Sequence, residues 1–473
     1  MLRLTGTIVL AAAMLGWTAV ASAEVPATNP SSVQCQQQKI ADLEQRINRL
    51  QCTQASQADL NAAAQQVLRD ADAHEEFLSI GSLPPSYDPN IGFLLQSADG
   101  KFSLNPGLLL QIRNETAIRQ RIPAGGGGEA GGSGSDLQNG FEIARVRLIF
   151  DGNVFSPNLT YYLQLQDDFG ESSFSLLDAY VLCRVSDQSP LALKAGQFKD
   201  PVWHEENLNE AKQLAVGRTL ANAFLGGGQT GHVQGVVLIY DQHALRGQLA
   251  LHDGYDSINT PFFDAGGRGA EVGAGAGVTP TRFGITSRAE YLAIGDRSPQ
   301  FNPFSEYDDF TALGDKQDIL VLGTGADDSQ SGGNNILFHT LDVQYETTGG
   351  LALYGAYLGV YRHINHFQGA DPGCYYDCGA IAQAAYLLSS RFEVFARYDY
   401  THLDDRALTG IAADNIHEIT VGANYYFHDH RVKATLDACW LPNGCPSDVE
   451  GAGVLQDDGH AELVIRAQFQ LAI

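Results

Sequence analysis

The 473-residue sequence is short of basic residues, with 29 Lys and Arg against 55 Asp and Glu and a formal net charge of −26. A balance of that sign argues against a nucleic-acid-binding surface. Charge of either sign is sparse at 18%, and long apolar runs are missing: after residue 23 no stretch of 18 apolar residues occurs. The chain beyond that point therefore carries no ordinary transmembrane helix, and any membrane role falls to strands. Seven Cys in 50.9 kDa are too few for a disulfide-stapled scaffold. Enzyme signatures are absent too. No nucleophile elbow or HExxH motif accompanies the paired Glu205 and Glu206, and the Gly-rich tracts at 125–134 and 266–277 lack the strand, helix and Lys-Ser/Thr ending of a phosphate loop. What the chain does have is 44% hydrophobic residues, 51 Gly, 22 Phe and 19 Tyr, too apolar for general disorder.

Residues 1–23 read as a signal peptide, with Arg3, an apolar stretch at 8–20 and the small cleavage triplet Ala21-Ser22-Ala23. The competing reading is a buried N-terminal helix. Cleavage implies export to an oxidising compartment. In 24–80, Val33, Ile40, Leu43, Ile47, Leu50, Ala64 and Leu68 fall on a heptad seam whose other positions hold Gln36, Gln54, Gln57 and Asn61. This predicts a periplasmic coiled coil that self-associates, or else a single amphipathic helix lying on the protein's own surface. A linker at 81–100, with Pro84, Pro85 and Pro89, follows.

From about residue 101 to 473 the pattern has period two. In 142–154, Ala144, Val146, Leu148, Phe150 and Val154 share one face while Arg145, Arg147, Asp151 and Asn153 share the other. Repeating the reading predicts about sixteen strands, at 101–120, 140–156, 158–168, 174–185, 191–199, 231–241, 244–253, 281–294, 317–325, 335–348, 351–362, 379–388, 391–402, 415–428, 431–440 and 460–473. Short turns and long loops alternate between them, with 295–316 the exception, long where a short turn is due. That asymmetry, with one apolar stripe per strand, points to an all-β transmembrane antiparallel barrel. At about sixteen strands its lumen is too wide for side chains to fill and holds water. A soluble sandwich or propeller does not account for the two unlike rims.

Four segments resemble the phosphate-selective porins O and P. They are Phe141-Glu142-Ile143-Ala144-Arg145-Val146-Arg147-Leu148, Leu177-Asp178-Ala179-Tyr180-Val181, Lys194-Ala195-Gly196-Gln197-Phe198-Lys199-Asp200-Pro201 and Gly231-His232-Val233-Gln234-Gly235. The resemblance implies a trimeric outer-membrane channel, an inward-folded third loop at 201–230 forming the constriction, and lumenal Arg and Lys guiding anions. Two positions depart from the family. The chain ends in Ile473 where such porins usually end in Phe, and Lys199, Lys212 and Arg218 of the constriction stand against Asp200, Glu205, Glu206 and Glu210.

The face assigned to the lumen carries Arg113, Arg119, Arg145, Arg147, Arg288, Arg397, Lys433 and Arg466, interleaved with Glu115, Glu290, Asp399 and Glu462. These form either an anion path or a self-paired wall. Arg145 and Arg147 stand out, two apart on one face with no acid until Asp151, and they offer forked donors to a phosphate or carboxylate. Asp308, Asp309, Asp327, Asp328, Asp404, Asp405, Asp457 and Asp458 are expected in hydrated loops. The spacings of Cys374 with Cys378 and of Cys439 with Cys445 predict local disulfides in outward loops, with zinc at the first pair and His363 and His366 as the competing reading. Cys35, Cys52 and Cys183 have no assignment. No cofactor, metal or enzymatic activity is expected. The function expected is passive diffusion of small hydrophilic solutes, including anions such as phosphate, through a homotrimer in outer-membrane lipid. The alternatives are a general cation-tolerant porin, or an envelope tether in which the coiled coil contacts the cell wall and the barrel is an anchor.

Overall fold

The computed structural model describes residues 86–88, 92–119, 137–167, 174–186, 189–259, 282–298, 304, 306–331, 334–364, 373–404, 415–455 and 460–473, together with Lys39, Ala41 and Asp42, which are helical. The signal peptide and all but those three positions of the expected coiled coil lie outside the described residues. Within the expected linker, β1 (Ser86–Asp88) and β2 (Gly92–Gln96) form a small hairpin, and Leu95 and Gln96 of β2 pair with the start of the next strand.

The body is one antiparallel sheet rolled shut. Its strands are β3 (Ser103–Arg119), β4 (Leu137–Val154), β5 (Ser156–Asp167), β6 (Phe174–Arg184), β7 (Leu191–Lys199), β8 (His232–Gln242), β9 (Leu245–His252) and β10 (Arg282–Ile294). They continue as β11 (Ile319–Ser331), β12 (Asn334–Glu346), β13 (Leu351–Ile364), β14 (Gly373–Ser389), β15 (Phe392–His402), β16 (Asn415–His428), β17 (Val432–Leu441) and β18 (Glu462–Ala472). Each pairs with the next, and β18 closes on β3 from Glu462 opposite Arg119 to Ala472 opposite Leu109. This is the sixteen-strand barrel that the period-two pattern predicts.

Alternation follows from the two solvents on either side of the sheet. On β18, Ile465 and Phe469 face outward at 39% and 47% exposure, while Arg466 and Gln470 between them face the lumen and are fully buried. Leu249, Leu341, Val421 and Leu436 extend the apolar outer surface around other strands. Two strands run further than expected. β11 takes in Asp327 and Asp328, and β14 takes in Cys374 and Cys378. At a rim water replaces lipid, so a strand continues on its main-chain hydrogen bonds without an apolar stripe to reveal it.

Connections at one rim are long (120–136, 200–231, 253–281, 403–414, 442–461) and those at the other mostly tight, as expected. Two exchange character. Only two residues join β11 to β12 on the long-loop rim, whereas 24 join β10 to β11 on the tight-turn rim. Residues 200–231 and the described residues of the second connection, 304 and 306–318, fold inward and share one apolar core with the wall. Val202, Trp203, Leu214 and Leu225 of the first meet Phe310 and Ala312 of the second over Phe338, Tyr354, Leu358 and Phe395. The barrel's hydrophobic core thus lies inside its lumen.

Candidate functional site: the lumen between the third loop and the wall

The third loop, 200–231, is a chain of short turns. α1 (His204–Asn207) is followed by a 3-10 turn at Glu210–Lys212, then α2 (Leu220–Leu225) and α3 (Gly227–Thr230). Local caps set the breaks. Asn209 accepts from the Ala211 N–H at 2.9 Å, and the Thr219 hydroxyl accepts from the Asn222 N–H at 3.0 Å.

The loop's charges neutralise one another. Arg218 lies 2.6 Å from Glu210 and 3.3 Å from Glu206, Lys199 lies 3.4 Å from Glu206 and 3.6 Å from Glu210, and Arg147 of the wall reaches Glu210 at 3.3 Å. Burial pushes the Glu210 carboxyl up, but Arg218, Lys199, Arg145 and Arg147 together hold it well below the ordinary range. Glu206 is likewise lowered, burial being outweighed by Arg218 and Lys199. Glu205 goes the other way: burial raises it against the pull of Arg397, and it accepts from the Thr219 N–H and hydroxyl at 2.9 and 2.8 Å. Lys199 and Arg218, expected at the constriction, are therefore spent on the loop's own acids. Lys212 sits half-buried on the 3-10 turn.

Five of the expected lumen cations do face inward, where they anchor loops. Arg397 pairs with Glu418 at 2.6 Å and donates to the carbonyls of Gly217 and Arg218. Arg466 forks onto Asp437 at 2.7 and 3.0 Å and reaches the Ala452 carbonyl. Lys433 donates to the Gln213 carbonyl at 2.6 Å. Arg113 pairs with Glu142 and Glu115 and donates to the Gly451 carbonyl. Arg288 is the hub of the second inward segment, bonding Asp342, Glu290, the Tyr307 hydroxyl and the Val202 carbonyl. Arg119, at the end of β3, is half-buried. Alternation carries no information about a loop folding back to claim these side chains.

On the opposite side, between the third loop and β3 to β7, a cavity of about 230 Å³ remains. Arg147, Lys194, Lys199, Asp178, Tyr162, Gln164 and Tyr180 supply most of its polar lining. Tyr162 and Tyr180 stack at 5.3 Å, and Asp178 is turned toward His232 at 3.4 Å. Arg145 donates to the Gln111 amide oxygen at 2.9 Å and Arg147 to that of Gln166 at 2.8 Å. Lys194 lies over the rings of Phe198 and Tyr180, at 4.5 and 5.2 Å, and forms no ion pair with a described carboxylate. The sequence reading did not single it out. Its signal was available: it alternates with the outward-facing Leu191 and Leu193, as Arg147 does with Val146 and Leu148.

The other missed element is 295–318. Phe304, Tyr307, Phe310 and Thr311 are all buried, Tyr307 stacks on His204 of the third loop at 3.9 Å, and Phe310 packs on Tyr354 at 4.5 Å. Aromatics recurring every third residue from Phe301 to Phe310 were the trace of this in the sequence. Asp308 and Asp309, expected in a hydrated rim, approach Arg246 and His430, and Asp327 is buried in the wall.

The expected disulfides are not formed. Cys374 and Cys378 are free and lie four residues apart on β14, which at about 3.3 Å per residue separates them by roughly 13 Å, beyond any disulfide. Cys374 instead faces His363 across the strand pair, at 3.3 Å. Cys439 and Cys445 are also free, both buried in one apolar cluster with Leu441 and Val464. Cys183 is free and exposed.

No protein-family model and no curated protein sequence matches this chain, so its resemblance to the phosphate-selective porins rests on the four segments alone. Solved structures do match. The anion-selective porin of Comamonas acidovorans is 13% identical, covering 79% of this chain and 100% of that one, with a TM-score of 0.51. Salmonella typhi OmpF, solved with daunomycin, is 12% identical over 78% of this chain and 98% of that one, with a TM-score of 0.50. At such identities the likeness is one of fold, and the fold is that of the outer-membrane porins.

Proposed function

We propose that this chain is an outer-membrane diffusion channel for small hydrophilic solutes, with a modest preference for anions such as phosphate, working as a homotrimer. The observation that carries the reading is the cavity between the third loop and β3 to β7, lined by Arg147 and by Lys194, which has no carboxylate partner among the described residues, with Arg145 two positions from Arg147 on β4. A cavity of about 230 Å³ has room for roughly eight waters at about 30 Å³ each, enough for a partly hydrated small anion. A cation such as Lys194 attracts an anion by about 1 kcal/mol at 4 Å in bulk-like water, and by more where the lumen narrows, whereas Arg147 shares its charge with Glu210. The acidic loops oppose this at the mouth, but their field is screened over a Debye length of about 8 Å. Selectivity then follows the narrowest ring of charge rather than the net charge.

The test is a bilayer recording of reversal potential in asymmetric salt. Wild-type protein is expected to favour anions modestly, and Lys194→Gln or the Arg145→Ala/Arg147→Ala pair to move the potential toward cations with conductance largely kept. A wild type already strongly cation-selective, or variants indistinguishable from it, would replace this reading with a general porin governed by its acidic rim. A protein that inserts but never conducts would leave the envelope tether.

A further inference from the structure

We propose that Asp200, His252 and Asp327 form a binding site for a divalent transition-metal ion, zinc in the first instance, that ties the root of the third loop to the barrel wall. The three residues come from separate elements. Asp200 is the first residue after β7, where the third loop leaves the wall; His252 ends β9; Asp327 lies near the end of β11. Their ligand atoms all fall within 4.8 Å of one another, and the residues are 0%, 3% and 0% exposed.

Two buried carboxylates held this close repel each other unless something neutralises them. Neither takes part in an ion pair with a described Lys or Arg; the nearest positive candidate is His252 itself, with Nε2 at 3.8 Å from Asp327 Oδ1. Each carboxylate is fixed through one oxygen only. Asp200 Oδ1 accepts from the Val202 N–H at 3.0 Å, and Asp327 Oδ1 accepts from the Ser329 hydroxyl at 2.8 Å. The second oxygen of each, Oδ2, is buried with no donor from the rest of the protein, the two carboxyls facing only one another. Two fully buried carboxylates that face each other beside an imidazole, with no Lys or Arg among the described residues to pair them, are a donor set that suits a divalent ion.

The wall is shaped around this group. A Cβ on Gly284 would lie 2.1 Å from the imidazole Cε1 and 2.7 Å from Nε2, so only glycine lets the ring lie flat against β10. On the far side, a Cβ on Gly325 would lie 2.5 Å from the Val202 carbonyl, so glycine there lets the loop root sit against β11.

Chemistry selects the ion. Two carboxylates balance a charge of +2, and with one imidazole they make the mixed O,O,N set that suits Zn²⁺ with a water as fourth ligand. Ca²⁺ needs six to eight oxygens, which these residues do not supply. Coordination through Nε2 requires the hydrogen on Nδ1, so the ring gives up the 3.2 Å bond it accepts from the Gly254 N–H and Nε2 leaves Thr286.

The site is tested with untagged full-length protein in detergent, stripped with chelator. Isothermal titration with Zn²⁺ is expected to give one ion per chain, and Co²⁺ a visible absorption band of low-coordinate geometry. Asp200→Asn and Asp327→Asn should each weaken zinc at least tenfold, and His252→Gln should remove the cobalt band, all three keeping the β circular-dichroism signature. Zinc should also slow proteolysis within 201–230 in the wild type but not in Asp327→Asn. Zinc uptake equal in wild type and the Asp200→Asn/Asp327→Asn pair, uptake of Ca²⁺ in preference to Zn²⁺, or no uptake at all would overturn the proposal; in the last case the two carboxyls share a proton.

Discussion

Arg288 shows how much of a lumen side chain's role the sequence disclosed. Its face and its neighbour Glu290 were readable from alternation along β10, but its other partners come from β12, from 295–318 and from the third loop, none of which period two connects. Removing one member of a buried ionic group leaves the others uncompensated, at a cost of about 3–5 kcal/mol. Arg288→Met is therefore expected to lower the temperature at which the barrel loses its compact electrophoretic form. The triple change with Asp342→Asn and Glu290→Gln should recover part of the loss, because no naked carboxylate then remains. Equal shifts for the single and triple variants would show that packing, not charge, is what Arg288 supplies. Lys194 marks the opposite case: a cation held over two aromatic rings, with no ion pair to a described carboxylate, leaves no opposite charge beside it in the sequence pattern to mark it.

The contact between the third loop and 295–318 makes docking of the loop sensitive to acid. His204 stacks on Tyr307 and donates through Nε2 to the Gln344 amide oxygen at 2.8 Å, with Asp342, Glu290 and Arg288 beyond. Burial dominates over these charges and holds the imidazole down to about 4 from an ordinary 6.5. A depressed histidine binds its proton more readily when undocked, so its contribution to docking is complete above about pH 6.5 and is lost as pH falls toward 4. Proteolytic cleavage within 201–230, or current noise in single channels, should rise across that window. His204→Phe keeps the stack without the proton and should flatten the dependence; a wild type whose loop is equally protected at pH 7.5 and 4.5 would count against it. The unusual length of 295–316 was visible in the sequence. Its inward path was not, because aromatics in a linker are equally consistent with an outer-surface patch.

The barrel as a whole was the most legible level, since each strand records its two solvents directly in its own alternation. Detergent-solubilised protein is expected to show a mainly β circular-dichroism spectrum and heat-modifiable migration; a helical spectrum would refute the architecture. The expected coiled coil gives a separate test. Deleting 24–80 should leave that spectrum intact while lowering the thermal stability of the proposed trimer, and unchanged mass and melting would deny the heptad seam any role in assembly.

The closure of β18 on β3 governs how such a chain has to be made. Leu108 and Ile473 exchange both main-chain hydrogen bonds, at 3.0 and 2.9 Å, and the Gln111 and Gln470 side chains bond at 2.8 Å across 359 positions of sequence. The first barrel strand thus waits for the last, with its edge open until β18 arrives. Contacts so distant in the chain form slowly, and an unpaired strand edge in water is an invitation to aggregate. Completion of the polypeptide is in this sense a checkpoint. A product lacking residues 462–473 would be not a slightly weaker barrel but a fifteen-strand sheet with two raw edges, exposed to pairing with other chains.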